Sequence, residues 1–267
     1  MKRESIMDLG LTGKRALVLA STRGLGLGIG TKLAEEGAHV LLSGRSRDKL
    51  EHAVTTIREA GGKADFVEAD LTDPGVVDTL AAAVAEKLGG IDILVNNTGG
   101  PPPGAMTDAS LEVLAKQFDT MVLRVMAITQ RFLPAMKDQG FGRILTVASS
   151  GVIQPIPNLG LSNALRSALV GWSKSMANEN AGAGVTFNML LPGRIQTERV
   201  DELDEANSKR TGKPIEDIRE TARASIPAGR YGTVDEFASV AAFLVSVPAS
   251  YVTGGLIRCD GGAIKSV

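Results

Sequence analysis

A glycine-rich turn near the start of the chain is the first segment whose residues point to chemistry. Gly24, Gly26 and Gly28 follow a short apolar run, RALVLA at 15–20, and precede apolar residues at helical spacing. Glycines in a strand-to-helix turn let the backbone approach a phosphate group, and the N-terminus of the helix favours its negative charge. The same pattern also occurs in purely structural tight turns. Its position in the first strand–turn–helix unit favours a site for the pyrophosphate of a dinucleotide.

Two arginines near this turn indicate which dinucleotide it holds. Enzymes that use NAD usually place a carboxylate after the second strand, where it binds the ribose hydroxyls. Here Gly44 and Arg45 occupy that position, and Arg23 lies within the turn itself. Both guanidinium groups suit a 2′-phosphate, although the alternative that either is simply exposed stays open. The sequence therefore predicts that NADP(H) is preferred over NAD(H).

The apolar pattern along the chain predicts the elements that position this turn. Short runs that are apolar on both faces alternate with segments of helical spacing, as in a parallel sheet covered by helices on both sides. The runs interpreted as strands are RALVLA, HVLLS, ADFVEAD, IDILVNN, GRILTVASS, VTFNMLLP and GGLIRCD. With right-handed crossovers they predict a single α/β Rossmann domain over residues 1–267, with a doubly wound parallel sheet of about seven strands. Long helices are expected at about 110–137 and 158–181.

One charged, irregular segment, residues 198–225, interrupts this alternation. It follows the sixth predicted strand, at the edge of the sheet where open α/β folds bind their ligands. It is either a solvated helical pair or a helical lid insertion that moves over the active site. The sequence leaves both alternatives open.

Composition narrows the expected partners and compartment. The formal net charge is −1 with 22% charged residues, which favours a small-molecule substrate over nucleic acid or an anionic membrane. A single cysteine, Cys259, and two histidines argue against a disulfide framework and a His/Cys zinc cluster, so no metal site is expected. The N-terminal segment has no apolar run of signal length, and no apolar stretch approaches the roughly 18 residues of a membrane span. We therefore expect a cytoplasmic protein that does not bind membranes.

Further motifs stand in order between about Leu11 and Gly262. They are LASTRGLG at 19–26, Asp70-Leu71, Asn96-Asn97-Thr98-Gly99, Leu191-Pro192-Gly193 with Thr197, and YVTG through DGG at 251–262. In this order and spacing they resemble the motifs of the short-chain dehydrogenase/reductase family, and most closely those of 3-oxoacyl-acyl-carrier-protein reductases. The resemblance implies a cofactor site formed by Ser21, Arg23, Gly24, Leu25, Gly26, Arg45, Asp70, Leu71, Asn97, Thr98, Gly99, Arg166, Pro192, Gly193 and Ile195.

The residues at the catalytic positions depart from the family pattern. Members of the family use a tyrosine as proton donor, a lysine that lowers its pKa and binds the nicotinamide ribose, a serine that holds the substrate oxygen, and an asparagine that anchors a water relay. Counting from the flanking motifs gives, in the same order, Ser162, Arg166, Ser149 and Met121. A serine hydroxyl is far less acidic than a phenol, whose pKa is about 10, so Ser162 is a poor general acid.

Neither of the two tyrosines, Tyr231 and Tyr251, replaces the missing phenol by sequence position. Three hypotheses about function therefore stay open. The first is an NADP(H)-dependent oxidoreductase that acts on a carbonyl or alcohol through an atypical site of Ser149, Ser162 and Arg166. The second is a catalytically inactive dinucleotide-binding or assembly protein, and the third is a lyase or isomerase that uses the same pocket. Because the long helices commonly pair across a dimer axis in this family, the resemblance also implies a homodimer or homotetramer.

Overall fold

The computed structural model describes residues 7–267 and confirms the predicted α/β architecture. All pairings in its seven-stranded sheet are parallel, in the order β3-β2-β1-β4-β5-β6-β7. The strands are β1 (Arg15–Val18), β2 (His39–Gly44), β3 (Lys63–Glu68), β4 (Ile93–Asn96), β5 (Gly142–Val147), β6 (Val185–Pro192) and β7 (Leu256–Cys259). The order reverses direction between β1 and β4, which creates the crevice where doubly wound folds bind ligands. Residues 1–6, part of the segment expected to lack a signal peptide, lie outside the described residues.

Helices cover both faces of this sheet. The α-helices of the described part are α1 (Gly24–Glu35), α2 (Arg47–Glu59), α3 (Val76–Ala83), α4 (Leu111–Phe118), α5 (Arg124–Asp138), α6 (Gly160–Asn180), α7 (Glu198–Thr211), α8 (Ile215–Ser225) and α9 (Val234–Leu244). The helix expected at about 110–137 is α4 and α5 joined by a π-helical segment, Asp119–Leu123. Segment 198–225 forms α7 and α8, and its movement stays a prediction. Within residues 7–267, no helix combines the length and apolar character needed to cross a membrane.

Close packing between α1 and α9 fixes the helix that follows the glycine-rich turn. Ile29 and Leu33 of α1 lie in one buried cluster with Phe237 of α9. A Cβ on Gly28 would lie only 2.1 Å from Cγ1 of Val234, so only a glycine permits this approach. The N-terminus of α1 is therefore held in a defined position at the carboxyl end of β1.

Candidate active site

The turn between β1 and α1 is shaped by close approaches of the backbone. A Cβ on Gly26 would lie 2.6 Å from the carbonyl oxygen of Ala20 and 2.7 Å from Nδ2 of Asn97. Asn97 in turn donates hydrogen bonds to the carbonyls of Leu19 and Ala20, at 3.2 and 3.1 Å. Among the described residues no side chain caps the N-terminus of α1, so its first N–H groups are free. This glycine-lined cradle fits the pyrophosphate of a dinucleotide.

Two predicted cofactor residues turn into the protein rather than towards the cradle. Ser21 is fully buried, its Oγ donates to the carbonyl of Val18 at 2.9 Å, and it accepts from the N–H of Ser43 at 2.9 Å. The Ile195 side chain packs in the same buried cluster as α1. Ser21 thus ties β1 to β2, and both residues would face a cofactor only through their backbone.

Arg45 and Asp70 line a pocket at the carboxyl ends of β2 and β3. The pocket has a volume of about 370 Å³, and Glu68 is among its other lining residues. Asp70 accepts a hydrogen bond from the N–H of Thr72 at 2.9 Å. This bond, and to a smaller extent the charge of Arg45, lowers the pKa of Asp70. Leu71 packs beside the buried cluster on the same side of the sheet. The exposed guanidinium of Arg45 is therefore available at the site that the resemblance assigns to the adenosine.

Arg23 faces α7 and not this pocket. Its guanidinium pairs with Glu198, and with Glu202 at 3.1 Å. Thr197, just before α7, accepts from the N–H of Val200 at 3.4 Å and so caps the helix. The side chain of Thr197 would lie 3.8 Å from a Cβ on Gly24. Segment 198–225 therefore begins directly beside the nucleotide turn, and the two arginines assigned to one phosphate have different neighbours.

The predicted catalytic positions lie at the carboxyl end of β5. Nη1 of Arg166 donates to the carbonyl of Val147 at 2.9 Å, and Ser149 follows that residue by two positions. Ser162 precedes Arg166 by one turn of α6, so the two share a face of the helix. Arg166 is only 9% exposed. Burial, and secondarily the positive charge of Arg199, lowers the pKa of Arg166 to about 10.

Asn163 holds the segment that follows Ser149. Ser149 Oγ accepts from the N–H of Gly151 at 3.0 Å, and a Cβ on Gly151 would lie 2.4 Å from Oδ1 of Asn163. Asn163 binds both backbone groups of Ile156, accepting at 3.2 Å and donating at 3.0 Å. The sequence does not reveal this role, because the partner lies in an irregular loop with no periodic pattern. The only indication in the sequence is that Asn163, an amide, stands next to Ser162.

Met121 leaves the family's asparagine position apolar. It lies in the π-helical segment and is 2% exposed. Leu161, Leu165 and Met189 belong to the same buried cluster. Single π-helical turns are frequent at functional sites, but the side chain here offers no hydrogen-bonding group strong enough to anchor a water relay.

The two tyrosines have other surroundings. The hydroxyl of Tyr231 donates to Asp204 at 3.0 Å, and Asp204, which is fully buried, also pairs with Arg194. Burial is the largest cause that raises the pKa of Tyr231. Tyr251 is completely exposed. Tyr231 is therefore hydrogen-bonded to α7 and to Arg194 after β6, whereas Tyr251 faces solvent.

The remaining predicted cofactor residues stand at the same edge of the sheet. Thr98 and Gly99 follow β4, and Pro192 is the last residue of β6. The N–H of Gly193 donates to the carbonyl of Cys259 at 2.9 Å, which joins the ends of β6 and β7. Within residues 7–267, no group of three or more His, Cys, Asp or Glu side chains is arranged to hold a metal ion.

A family model described as enoyl-(acyl carrier protein) reductase matches residues 19–263. The chain belongs to the short-chain dehydrogenase/reductase family. The 3-oxoacyl-[acyl-carrier-protein] reductase of Vibrio cholerae is 32% identical to it over 257 residues, which cover 95% of this chain and 98% of that protein. A putative ketoacyl reductase of Streptomyces coelicolor is 32% identical over 249 residues, which cover 92% of this chain and 95% of the relative.

A solved structure of this short-chain reductase fold extends the likeness to three dimensions. The L-sorbose reductase of Gluconobacter frateurii, crystallised with NADPH and L-sorbose, has a TM-score of 0.92 and 30% sequence identity to the chain. The similarity covers 98% of this chain and 100% of that structure. The predicted family and Rossmann fold are thereby confirmed.

Proposed function

We propose that this chain is an NADPH-dependent oxidoreductase that interconverts a carbonyl and an alcohol without a tyrosine as proton donor. The observation that carries the proposal is the position of Arg166, whose guanidinium donates to the carbonyl of Val147 at the carboxyl end of β5, two residues before Ser149. In the family pattern the residue at this position binds the nicotinamide ribose. The proposal is supported by two relatives that are named as ketoacyl or 3-oxoacyl reductases and by a neighbour crystallised with NADPH.

Two parts of the cleft support the use of a dinucleotide that carries a 2′-phosphate. The cradle formed by Gly24, Gly26 and the free N–H groups of α1 would hold the pyrophosphate. Arg45, in the pocket with Asp70, would hold the 2′-phosphate by a charge-assisted hydrogen bond. When bound, the reduced cofactor supplies a hydride to the carbonyl carbon.

Ser149 and Arg166 would each stabilise the substrate oxygen by a different interaction. Ser149 Oγ accepts from Gly151, which leaves its own proton free to be donated to the substrate. Arg166, which is itself only 9% exposed, would stabilise the negative charge that develops on this oxygen. Neither serine is acidic enough to be a strong general acid, so the proton would come from water through the hydroxyl of Ser149 or Ser162.

We infer one NAD(P)-binding domain over residues 1–267 in which 198–225 is a helical lid, supported by the contacts of α7 with the nucleotide turn. Exposed apolar side chains on α4 and the following segment support pairing of two copies, in a cytoplasmic homodimer or homotetramer. They are Leu111, Val113, Phe118 and Leu123.

A ketone panel with purified protein and NADPH tests this function by the loss of absorbance of the reduced cofactor. We expect turnover that falls by at least about 10²-fold in Ser149→Ala. Ser150→Ala, at the next position, is the matched control and should keep wild-type activity. NADPH binding in calorimetry without turnover of any ketone would favour the inactive binding protein, and product without cofactor oxidation would favour a lyase or isomerase.

A further inference from the structure

Arg166 is a buried cation whose hydrogen bond goes to a neutral group. Its partner is the carbonyl of Val147 at 2.9 Å, and among the described residues no carboxylate lies within ion-pair distance of it. The residue is 9% exposed. A buried charge without a counter-charge is unfavourable, so proteins usually pair such groups. We therefore expect a ligand to supply the negative charge that pairs with Arg166.

Arg199 adds a second guanidinium to the same region. It projects from α7, and its Nη2 donates to the carbonyl of Pro101 at 2.9 Å in the loop that follows β4. A Cβ on Gly100 would lie 3.2 Å from this guanidinium. Its carboxylate partner, Glu202 at 3.3 Å, is shared with Arg23. The charge of Arg199 is thus only partly balanced. Its guanidinium contacts the loop after β4, and Arg166 contacts the end of β5, the neighbouring strand in the sheet. The positive charge of Arg199 also lowers the pKa of Arg166.

The pyrophosphate of a dinucleotide does not account for this pair of cations. The pyrophosphate would lie at the N-terminus of α1, at the end of β1, whereas Arg166 lies at the end of β5. In the sheet β4 separates these two strands. Because neighbouring strands are about 4.8 Å apart, the two strand ends are roughly 10 Å apart. An anion bound at Arg166 is therefore a different one, close to the reacting end of the cleft.

We propose that Arg166 and Arg199 bind an oxyanion carried by the substrate, a carboxylate or a phosphate group. A guanidinium has five N–H donors in a planar fork that matches such groups, and Arg166 uses one of them for Val147. The enzyme then prefers oxo acids or phosphorylated ketones to neutral carbonyl compounds. The substrate preference rests on the proposed reductase function, but binding of the anion does not.

Matched pairs of compounds test the preference. The pairs are 4-oxopentanoate with its methyl ester, and dihydroxyacetone phosphate with dihydroxyacetone, so each pair differs in the charged group. We expect kcat/KM to be about 10- to 100-fold higher for the charged member of at least one pair. The pair that shows the difference identifies carboxylate or phosphate as the anion.

Two variants of Arg199 in α7 test whether this residue causes the preference for charged substrates. Arg199→Gln should lower the charged-to-neutral ratio of kcat/KM about tenfold, and Arg199→Lys, which keeps the charge, should restore part of it. Arg210→Gln removes an exposed arginine of the same helix and should leave the ratio unchanged. Equal kcat/KM for charged and neutral members, with no effect of Arg199→Gln, would overturn the proposal while the reductase function stands.

Calorimetry gives a measurement that does not depend on turnover. The charged compounds, titrated at low salt into the protein saturated with NADP⁺ and into the protein alone, should bind, and their methyl ester and unphosphorylated counterparts should bind at least tenfold more weakly. If the charged compounds bind, Arg199→Gln weakens their binding, and no carbonyl compound is reduced by NADPH, the anion site is supported and the reductase function is contradicted. Absence of binding at millimolar concentration, with or without turnover of neutral ketones, would overturn the site.

Discussion

Arg23 in the nucleotide turn lies 3.1 Å from Glu202 of α7 and also pairs with Glu198. The three side chains are between 44% and 62% exposed. Ion pairs at such exposure contribute little to stability because water and salt screen them. Their main effect is on the positions of Arg23 and of α7. They occupy the guanidinium that the sequence assigns to a cofactor phosphate, and they join the start of segment 198–225 to the nucleotide turn.

Removal of both carboxylates should free Arg23 for the cofactor. We expect the double variant Glu198→Gln, Glu202→Gln to bind NADPH roughly fivefold more tightly, because two negative charges near the phosphates are lost. The gain for NADH should be smaller, since it lacks the 2′-phosphate. Calorimetric dissociation constants for both cofactors check this, with Glu205→Gln on the exposed side of α7 as control. An unchanged NADPH affinity would mean that Arg23 does not reach the cofactor.

Arg45 should determine the preference between the two cofactors. Its guanidinium lines the pocket of Asp70, where the other ionisable groups, Glu68 and Asp73, are acidic. In Arg45→Gln these carboxylates would face the 2′-phosphate without a cation. We expect NADPH affinity to fall by about 10- to 100-fold and NADH affinity to change little. Arg47→Gln, which removes a nearby exposed arginine paired with Glu51, should affect neither cofactor.

Ser162→Tyr should supply the missing general acid. The phenol would lie one helical turn from Arg166, whose positive charge lowers the pKa of a neighbouring phenol. We expect kcat for carbonyl reduction to rise by about 10²-fold. The phenol donates only while protonated, so the gain is present below its pKa and is lost as the pH rises through it. Values of kcat measured from about pH 6 to pH 10 should show this decrease.

The control for this variant is on the opposite side of the same helix. Ser167 is exposed, so Ser167→Tyr adds a phenol to α6 outside the cleft and should leave kcat and its pH profile unchanged. A Ser162→Tyr protein that folds and binds NADPH but shows no faster turnover would contradict the assignment of Ser162 to the tyrosine position.

Most strands were predictable because they are short, largely apolar runs, as RALV and GRILTV are. The division of the helix at 110–137 was not predictable in the same way. Its π-helical segment Asp119–Leu123 shifts the hydrogen-bond register locally, and the surrounding apolar spacing stays close to that of an uninterrupted α-helix. Patterns of hydrophobicity therefore give the existence of a helix more reliably than its internal geometry.

Motif spacing predicted which residues stand at the edge of the sheet but not their partners. Arg23 and Glu198 are 175 positions apart in sequence, and nothing distinguishes Glu198 from the many other carboxylates of the chain. The burial of Arg166 without a carboxylate partner is likewise a property of the folded chain. Positions within a motif follow from local sequence, whereas charge pairing across the cleft depends on tertiary packing.

Ala20 should be a source of strain in the nucleotide turn. Its φ is +47°, in the left-handed region that costs a residue with a Cβ about 1–2 kcal/mol. Glycine there would relieve the strain but lose more entropy on folding, by about 0.5–1 kcal/mol. We expect Ala20→Gly to raise the free energy of unfolding by about 0.5–1 kcal/mol in urea titrations. Ala115→Gly, at an ordinary helical position of α4, should lower it by a similar amount.

Glu236 should make the stability of α9 depend on pH. It accepts from the N–H of Thr233 at 2.8 Å, completing a capping box, and it pairs with Arg230 at 2.8 Å. The hydrogen bond from Arg230 is the main cause that lowers the pKa of Glu236 to about 2. Because the pKa is lower in the folded protein than in the unfolded chain, where it is about 4.3, folding is favoured above that value. This contribution is lost as the pH falls from about 4.3 to about 2.

Glu236→Gln keeps an oxygen for the capping box but removes the charge, which isolates this effect. We expect the variant to unfold at a lower urea concentration than the wild type at neutral pH, and the difference to close as the pH approaches about 2. Glu112→Gln, which removes a first-turn carboxylate of α4, is the control and should show no comparable convergence. A gap between wild type and Glu236→Gln that stays constant down to about pH 2 would contradict the assignment.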